Sequence, residues 1–119
     1  ISAMQSINVA VLNPVFFAAF FGTAALSALA LIAGFMTWSA AGARYLAVGA
    51  LLYLAGTIAV TMVCNVPLNN KLASVAPDSD EGALLWQRYL SAWTAWNHVR
   101  TITSLAAAAA FIMALVRQA

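Results

Sequence analysis

Charged residues are nearly absent from this chain, and their positions matter more than their number. Only 7% of the 119 residues are Asp, Glu, Lys or Arg, whereas soluble domains carry about 25%. None occurs between Ile1 and Ala43, and none occurs between Tyr45 and Asn70. Each uncharged stretch can hold a helix of about 20 residues, the length that crosses about 30 Å of hydrocarbon. The sequence therefore predicts an integral membrane protein in contact with the lipid bilayer.

Cysteine and histidine each occur once, as Cys64 and His98, and this scarcity excludes several kinds of site. A single cysteine excludes an intrachain disulfide and a multi-cysteine metal site, and a single histidine excludes bis-histidine haem ligation. The alternating pattern of outer-membrane barrel strands is also missing. The net charge is only +2 and no Lys/Arg run occurs, so nucleic acid is not an expected partner. We expect no metal site in this chain.

The apolar sequence divides into three segments that we predict to be membrane helices of one domain, residues 1–119. The fold class is an all-α transmembrane helical bundle, with helices over about 13–36, 43–64 and 83–117. Helical spans of this kind point to a bacterial inner membrane rather than an outer membrane.

Capping residues and prolines set the expected helix boundaries. Asn13 suits an N-cap, and Pro14 is tolerated in a first turn. Pro67, within an asparagine-rich run, is expected to end the second helix. Residues 71–83 read as an aqueous loop, and the third helix begins with a Trp-rich, interfacial half.

Three glycines, Gly42, Gly49 and Gly56, recur at seven-residue spacing along the second predicted helix. Positions seven apart lie on one stripe of a helix. Small residues let helix backbones approach closely inside a membrane, where no hydrophobic force drives helices together. We therefore interpret the stripe as a packing surface for another helix.

The most polar segment within an apolar stretch is residues 93–100, which read WTAWNHVR. Between Arg100 and Arg117 lie residues 101–116, roughly 24 Å of helix, which is less than the hydrocarbon thickness. Asn97, His98 and Arg100 are therefore expected at or just inside the hydrocarbon boundary. Polar groups are costly there and by default mark a site or a polar seam between helices.

Topology brings further amides to the same membrane face. The first helix starts there, the second returns to it and the third departs from it, so their polar ends converge. The predicted binding residues are Asn13, Asn65, Asn69, Trp93 and Trp96, beside Asn97, His98 and Arg100. Alternatives remain open for each group: the asparagines also suit caps and turns, the tryptophans also suit an interface belt, and the remaining polar side chains also suit hydrogen bonds between helices.

Three motifs in this order resemble the anthrone-oxygenase-like family of small membrane proteins. They are Asn13-Pro14 opening a Phe-rich helix, the run NVPLNN at 65–70, and WTAWNHVR at 93–100. Members of the family look like four-helix proteins, so the resemblance implies that the chain lacks the first helix. It also implies oxidation of a lipophilic aromatic anthrone without a recognised metal, flavin or other cofactor.

The resemblance allows a role for each polar residue of the last helix. His98 is the only side chain with an ordinary pKa near neutral, and it would act as the base. Asn97 and Arg100 would stabilise the enolate, with Asn65 and Asn69 as further donors. Two tryptophans of the octapeptide, at 93 and 96, would flank a flat substrate.

Two hypotheses of function stay open at this point. One is an enzyme, or a protein that binds a lipophilic ligand, with its site at one membrane face. The other is a non-catalytic accessory subunit whose polar cluster binds other membrane subunits, a second copy of the chain or a quinone-like ligand. Turnover of a simple anthrone, and its response to substitution of His98 and Asn97, would separate them.

Overall fold

Long helices dominate the computed structural model, which describes residues 1–118. A short helix comes first, α1 (Ser2–Ala10), followed by α2 (Pro14–Met36). The two longest are α3 (Ala43–Ala73) and α4 (Asp80–Gln118). Helices α2, α3 and α4 are each long and apolar enough to cross a membrane. The all-α architecture with three membrane helices is therefore confirmed, and the protein is an integral membrane protein by the length and composition of these helices.

The start of α2 follows the expected capping pattern. Asn13 is extended (φ −135°, ψ 159°), and its side-chain Oδ1 accepts a hydrogen bond of 2.9 Å from the backbone N–H of Phe16. Pro14 occupies the first turn, where its missing N–H has no helical partner in any case. The predicted N-cap is confirmed, and it fixes the direction in which α2 leaves the short helix α1.

The second membrane helix ends later in the chain than the sequence predicted. Pro67 does not end α3, which continues to Ala73. Two π-helical segments, Leu54–Ala59 and Thr61–Asn65, precede the proline. A proline in a regular α-helix clashes with the carbonyl four residues earlier, whereas π turns pair each carbonyl one residue further on. The wider winding therefore accommodates the ring, and the loop to α4 shortens to residues 74–79.

Helix α3 lies between α2 and α4 and runs antiparallel to both. Near the start of α2, the backbone carbonyl of Phe20 accepts a 3.3 Å hydrogen bond from the hydroxyl of Tyr53 on α3. Near the end of α2, Gly34 contacts Ala43 and Ala47 of α3. Helices α2 and α4 do not pack against each other over the described residues. The space between them is therefore open on one side of α3.

The glycine stripe packs against α4, as the spacing predicted. A Cβ built on Gly42 would lie 2.6 Å from the carbonyl oxygen of Ala114, and one on Gly49 would lie 2.9 Å from the ring of Phe111. At Gly56 the nearest atoms belong to Thr103. All three glycines thus allow the two backbones to approach closely, because any side chain at these positions would occupy space that α4 fills.

Candidate functional site

A cavity of about 410 Å³ lies between α1, α2, α3 and the middle of α4. Its size falls within the roughly 300–1,000 Å³ of small-molecule sites. The wall from α2 is aromatic, and Phe16 and Phe20 stack there with ring centroids 5.4 Å apart. Phe20 and Phe21 meet edge to face at 5.1 Å. The cavity therefore offers flat apolar surfaces suited to an aromatic ligand.

The polar side chains of the lining come from three of the four helices. Lining carboxylates are absent, as are lining histidine, cysteine and lysine, so Arg100 is the sole charged group of this cavity. Over residues 1–118, no cluster of three or more His, Cys, Asp or Glu side chains could hold a metal ion. The polar lining residues are Gln5, Asn8, Thr61, Asn69, Asn70 and Arg100.

Several polar atoms in this lining are buried without a hydrogen-bond partner in the described part of the chain. They are the side-chain nitrogens Asn8 Nδ2, Trp93 Nε1 and Arg100 Nε, together with the hydroxyl oxygen of Thr61. Buried polar groups are normally paired, and an unpaired one costs about 1–3 kcal/mol. Four such atoms belong to residues that line the same cavity.

Of the predicted site residues, the structure brings Asn69, Trp93 and Arg100 to the cavity. Asn69 also accepts a 2.8 Å hydrogen bond from the hydroxyl of Tyr89, a side chain only 2% exposed. Trp93 continues a stack of rings along α4, with 5.9 Å between its ring and that of Tyr89. These three residues therefore join the end of α3 to the middle of α4 at one site.

The other predicted residues lie outside the lining. Asn65 is fully buried between α3 and α4, where its side-chain Nδ2 donates to the carbonyl of Trp93 at 3.4 Å. The side chain of Asn13 is used in the cap of α2. Trp96 and His98 are exposed and Asn97 is half-buried. Because His98 is two residues from Arg100, it lies about 200° around the helix from the residue that reaches the cavity.

The structure adds two residues that the sequence analysis did not assign to the site, Asn8 and Thr61. Asn8 belongs to α1, whose residues form much of the cavity wall. Residues 1–12 are mildly amphipathic, but this pattern does not show what the helix packs against. Thr61 begins the second π-helical segment, and its direction depends on that irregular winding, which the sequence pattern does not reveal.

Helix α1 is joined to the end of α3 by one side chain. The amide of Gln5 donates two hydrogen bonds, at 2.8 Å to the carbonyl of Leu72 and at 3.1 Å to that of Val75. These carbonyls belong to the last turn of α3 and the loop after it, and that of Leu72 also accepts a 3.4 Å hydrogen bond from the backbone N–H of Val75. Gln5 therefore holds α1 over the cavity and satisfies helix-terminal acceptors.

Replacing Gln5 with leucine is expected to increase hydrogen exchange of the α1 amides. Losing the two bonds removes about 1–2 kcal/mol from the contact, which corresponds to roughly a tenfold rise in exchange rate. Hydrogen exchange read by mass spectrometry in nanodiscs measures this. Ser6→Ala, an exposed position of the same helix, is the control, and equal exchange in both variants would contradict the role of Gln5.

A comparison with known families agrees with the three sequence motifs. The sequence model of the anthrone oxygenase family matches residues 15–110, most of the chain. The chain belongs to the anthrone oxygenase family. No curated protein and no solved structure matches the chain. The family match covers α2, α3 and most of α4, so all of the cavity except the wall from residues 1–14 falls within it.

Proposed function

We propose that this member of the anthrone oxygenase family binds a lipophilic aromatic substrate in the cavity and oxidises it with O₂, without a bound cofactor. The observation that carries the proposal is the combination of an aromatic wall with a single cation, Arg100, in a cavity of suitable volume. A substrate of this kind partitions into the bilayer, and the cavity lies among helices that span it. We place the protein in a bacterial inner membrane for this function.

The chemistry needs an acidic carbon and a means to stabilise its anion. An anthrone loses a proton from the carbon opposite its carbonyl, and the resulting enolate is electron-rich enough to react with O₂ directly. One oxygen atom becomes the new carbonyl oxygen of the anthraquinone, and the other leaves as water with the two hydrogens of the carbon. Arg100 stabilises the enolate oxygen, because a fixed cation at developing negative charge lowers the barrier.

The source of the base is a separate part of the proposal. None of the cavity-lining side chains is a carboxylate or a histidine, and His98 is exposed away from the lining. Stabilisation of the enolate by Arg100 makes the substrate carbon opposite the carbonyl more acidic. A weak base is then sufficient, and hydroxide or water at the membrane face serves as the proton acceptor. His98 as the base therefore stays a prediction from the sequence, and mutagenesis is its test.

Oxygen uptake by the purified protein tests the proposal. In nanodiscs with a simple anthrone, we expect consumption of one O₂ for each anthraquinone formed, without added metal or flavin and unaffected by a chelator. The uncatalysed oxidation in nanodiscs without protein is the blank. Rates equal to that blank would remove the enzyme hypothesis and leave the accessory-subunit alternative, which predicts a partner that copurifies with the wild type and is lost on Gly49→Leu.

A further inference from the structure

A shallow groove runs along the seam between α3 and α4. Its volume is about 450 Å³, and it shares no lining residue with the cavity between α1, α2, α3 and α4. Thr103 and its neighbours give it an apolar surface, since the hydroxyl of this threonine already donates to the carbonyl of Val99 at 2.7 Å. The groove therefore suits a hydrocarbon occupant. Its lining residues are Val48, Leu51, Leu52, Ala55, Gly56 and Thr103.

The groove has the length of one lipid leaflet. Tyr45, Val48 and Leu52 belong to the regular part of α3, and their spacing of three and four residues puts them on one face of the helix. Tyr45 precedes Gly56 by 11 residues, which corresponds to roughly 16 Å along the axis. Half of the hydrocarbon thickness is about 15 Å. An extended stretch of a fatty acyl chain therefore fits between the membrane surface and the inner end of the groove.

Two exposed arginines lie at the membrane-surface end of this helix face. The guanidinium of Arg117 lies over the ring of Tyr45, 5.9 Å from its centroid, and that of Arg44 lies over Trp38 at 5.3 Å. Tryptophan and tyrosine are typical of the headgroup level of a membrane. A guanidinium packed on a ring keeps its N–H donors at its edges, and their geometry matches the oxygens of a phosphate.

The acidic residues of the chain lie at the opposite end of the helices. Asp78, Asp80 and Glu81 stand before and at the start of α4, whereas Arg117 is in its last turn. Helix α3 connects the two ends with 31 residues, roughly 45 Å of helix. This separation is several times the screening length of about 8 Å in physiological salt. These carboxylates therefore do not neutralise the two arginines, and this end of the protein is complementary to an anionic headgroup.

We propose that the groove binds one acyl chain of an anionic phospholipid such as phosphatidylglycerol, and that Arg44 and Arg117 bind the phosphate of its headgroup. Tyr45 connects the two parts, because its ring contacts Arg117 and its helix face continues into the groove. A zwitterionic lipid binds less well, since its ammonium group adds positive charge beside the arginines. The proposal concerns a lipid-binding surface and does not depend on oxidation of a substrate.

Native mass spectrometry of the protein, released from micelles with equal amounts of phosphatidylglycerol and phosphatidylcholine of the same acyl chains, tests the headgroup contact. The wild type should retain phosphatidylglycerol about tenfold or more in preference, and Arg44→Gln and Arg117→Gln should each reduce this preference about fivefold. The control is Arg88→Gln, which removes the same charge from an exposed position in the first part of α4. Equal retention of the two lipids by the wild type, or an equal effect of Arg88→Gln, would overturn the proposal.

A second pair of variants tests the groove. Ala55→Phe places a ring in the groove and should lower retention of phosphatidylglycerol at least about fivefold, because the acyl chain loses its packing contacts. Ala59→Phe adds the same ring at an exposed position of α3 outside the lining and should retain the lipid as the wild type does. Equal retention in both variants would mean that the acyl chain does not occupy the groove.

Two further outcomes would assign the surface to a different occupant. Glycerophosphoglycerol, the headgroup without acyl chains, should not displace the bound lipid; displacement would indicate an anion site that makes no use of the groove. The mass spectrum also reports the number of chains. A dimer that Ala55→Phe converts to a monomer, with no change in bound lipid, would make the groove an interface between two copies of the chain and would refute lipid binding there.

Discussion

Replacing Arg100 with methionine is expected to lower kcat/KM for anthrone oxidation by about 10²–10³-fold. This is the usual cost of removing a preorganised group that stabilises a developing oxyanion, and Arg100 is the sole charged residue of the cavity lining. Methionine keeps a long unbranched side chain, so the cavity wall stays filled. Because the interaction is strongest with the enolate, most of the loss should appear in kcat rather than KM. Oxygen uptake over a range of anthrone concentrations measures both.

Two neighbouring substitutions show whether the effect of Arg100→Met is specific. Thr101→Val removes a hydroxyl one residue away, outside the lining, and should leave kcat/KM within about twofold. His98→Gln should lower it by less than about tenfold, since an essential general base contributes about 10²–10⁴-fold and this side chain is exposed. A large loss in His98→Gln with a small loss in Arg100→Met would reverse the assignment and restore the sequence-based role of the histidine.

Replacing Gly42 with alanine is expected to destabilise the protein by about 3 kcal/mol. Gly42 has φ +81°, a left-handed conformation that costs a residue with a Cβ about 1–2 kcal/mol. The added Cβ would also lie 2.6 Å from the carbonyl oxygen of Ala114. That oxygen is part of the α4 backbone and cannot rotate away, so overpacking adds about 1–3 kcal/mol. Unfolding in mixed detergent micelles, followed by circular dichroism, measures the free energy.

Gly22→Ala provides the matched control. Gly22 lies on α2, and a Cβ there meets nothing within 4 Å. In a helix interior, alanine is preferred to glycine by about 0.5–1 kcal/mol, so this variant should be neutral or slightly more stable. Equal stability of Gly42→Ala and Gly22→Ala would mean that the turn between α2 and α3 does not require close packing against α4.

The sequence predicted the membrane helices correctly because long uncharged stretches are a strong signal of membrane helices. Long uncharged stretches cannot fold stably in water as exposed helices, and their lengths match the bilayer. The spacing of Gly42, Gly49 and Gly56 also predicted a packing face, since seven residues bring a helix back to nearly the same side. The boundary at Pro67 was wrong, because proline is a local signal whereas the preceding π-helical winding is a property of the packed helix.

For the site too, the sequence predicted some of the residues, and the packing of the helices decided which of them line the cavity. The structure brings three of the predicted site residues, Asn69, Trp93 and Arg100, to the lining of one cavity. The sequence could not show which residues next to Arg100 face the cavity. Adjacent residues differ by about 100° around a helix, and the rotation of α4 about its axis is set by its contacts. Those contacts include Thr57, whose hydroxyl lies 2.7 Å from that of Ser104 on α4.

By itself, the sequence determined the class of the protein, its three membrane helices and its membership of a family of membrane proteins. Hydrophobicity and short motifs are local properties of the chain and do not depend on how the helices pack. Only the tertiary structure decided which side chains share the cavity. Arg100 faces it and His98 does not, and Asn8 and Thr61 join it from distant segments. These choices depend on helix rotation and on the π turns of α3, which are fixed when the helices pack together and not before.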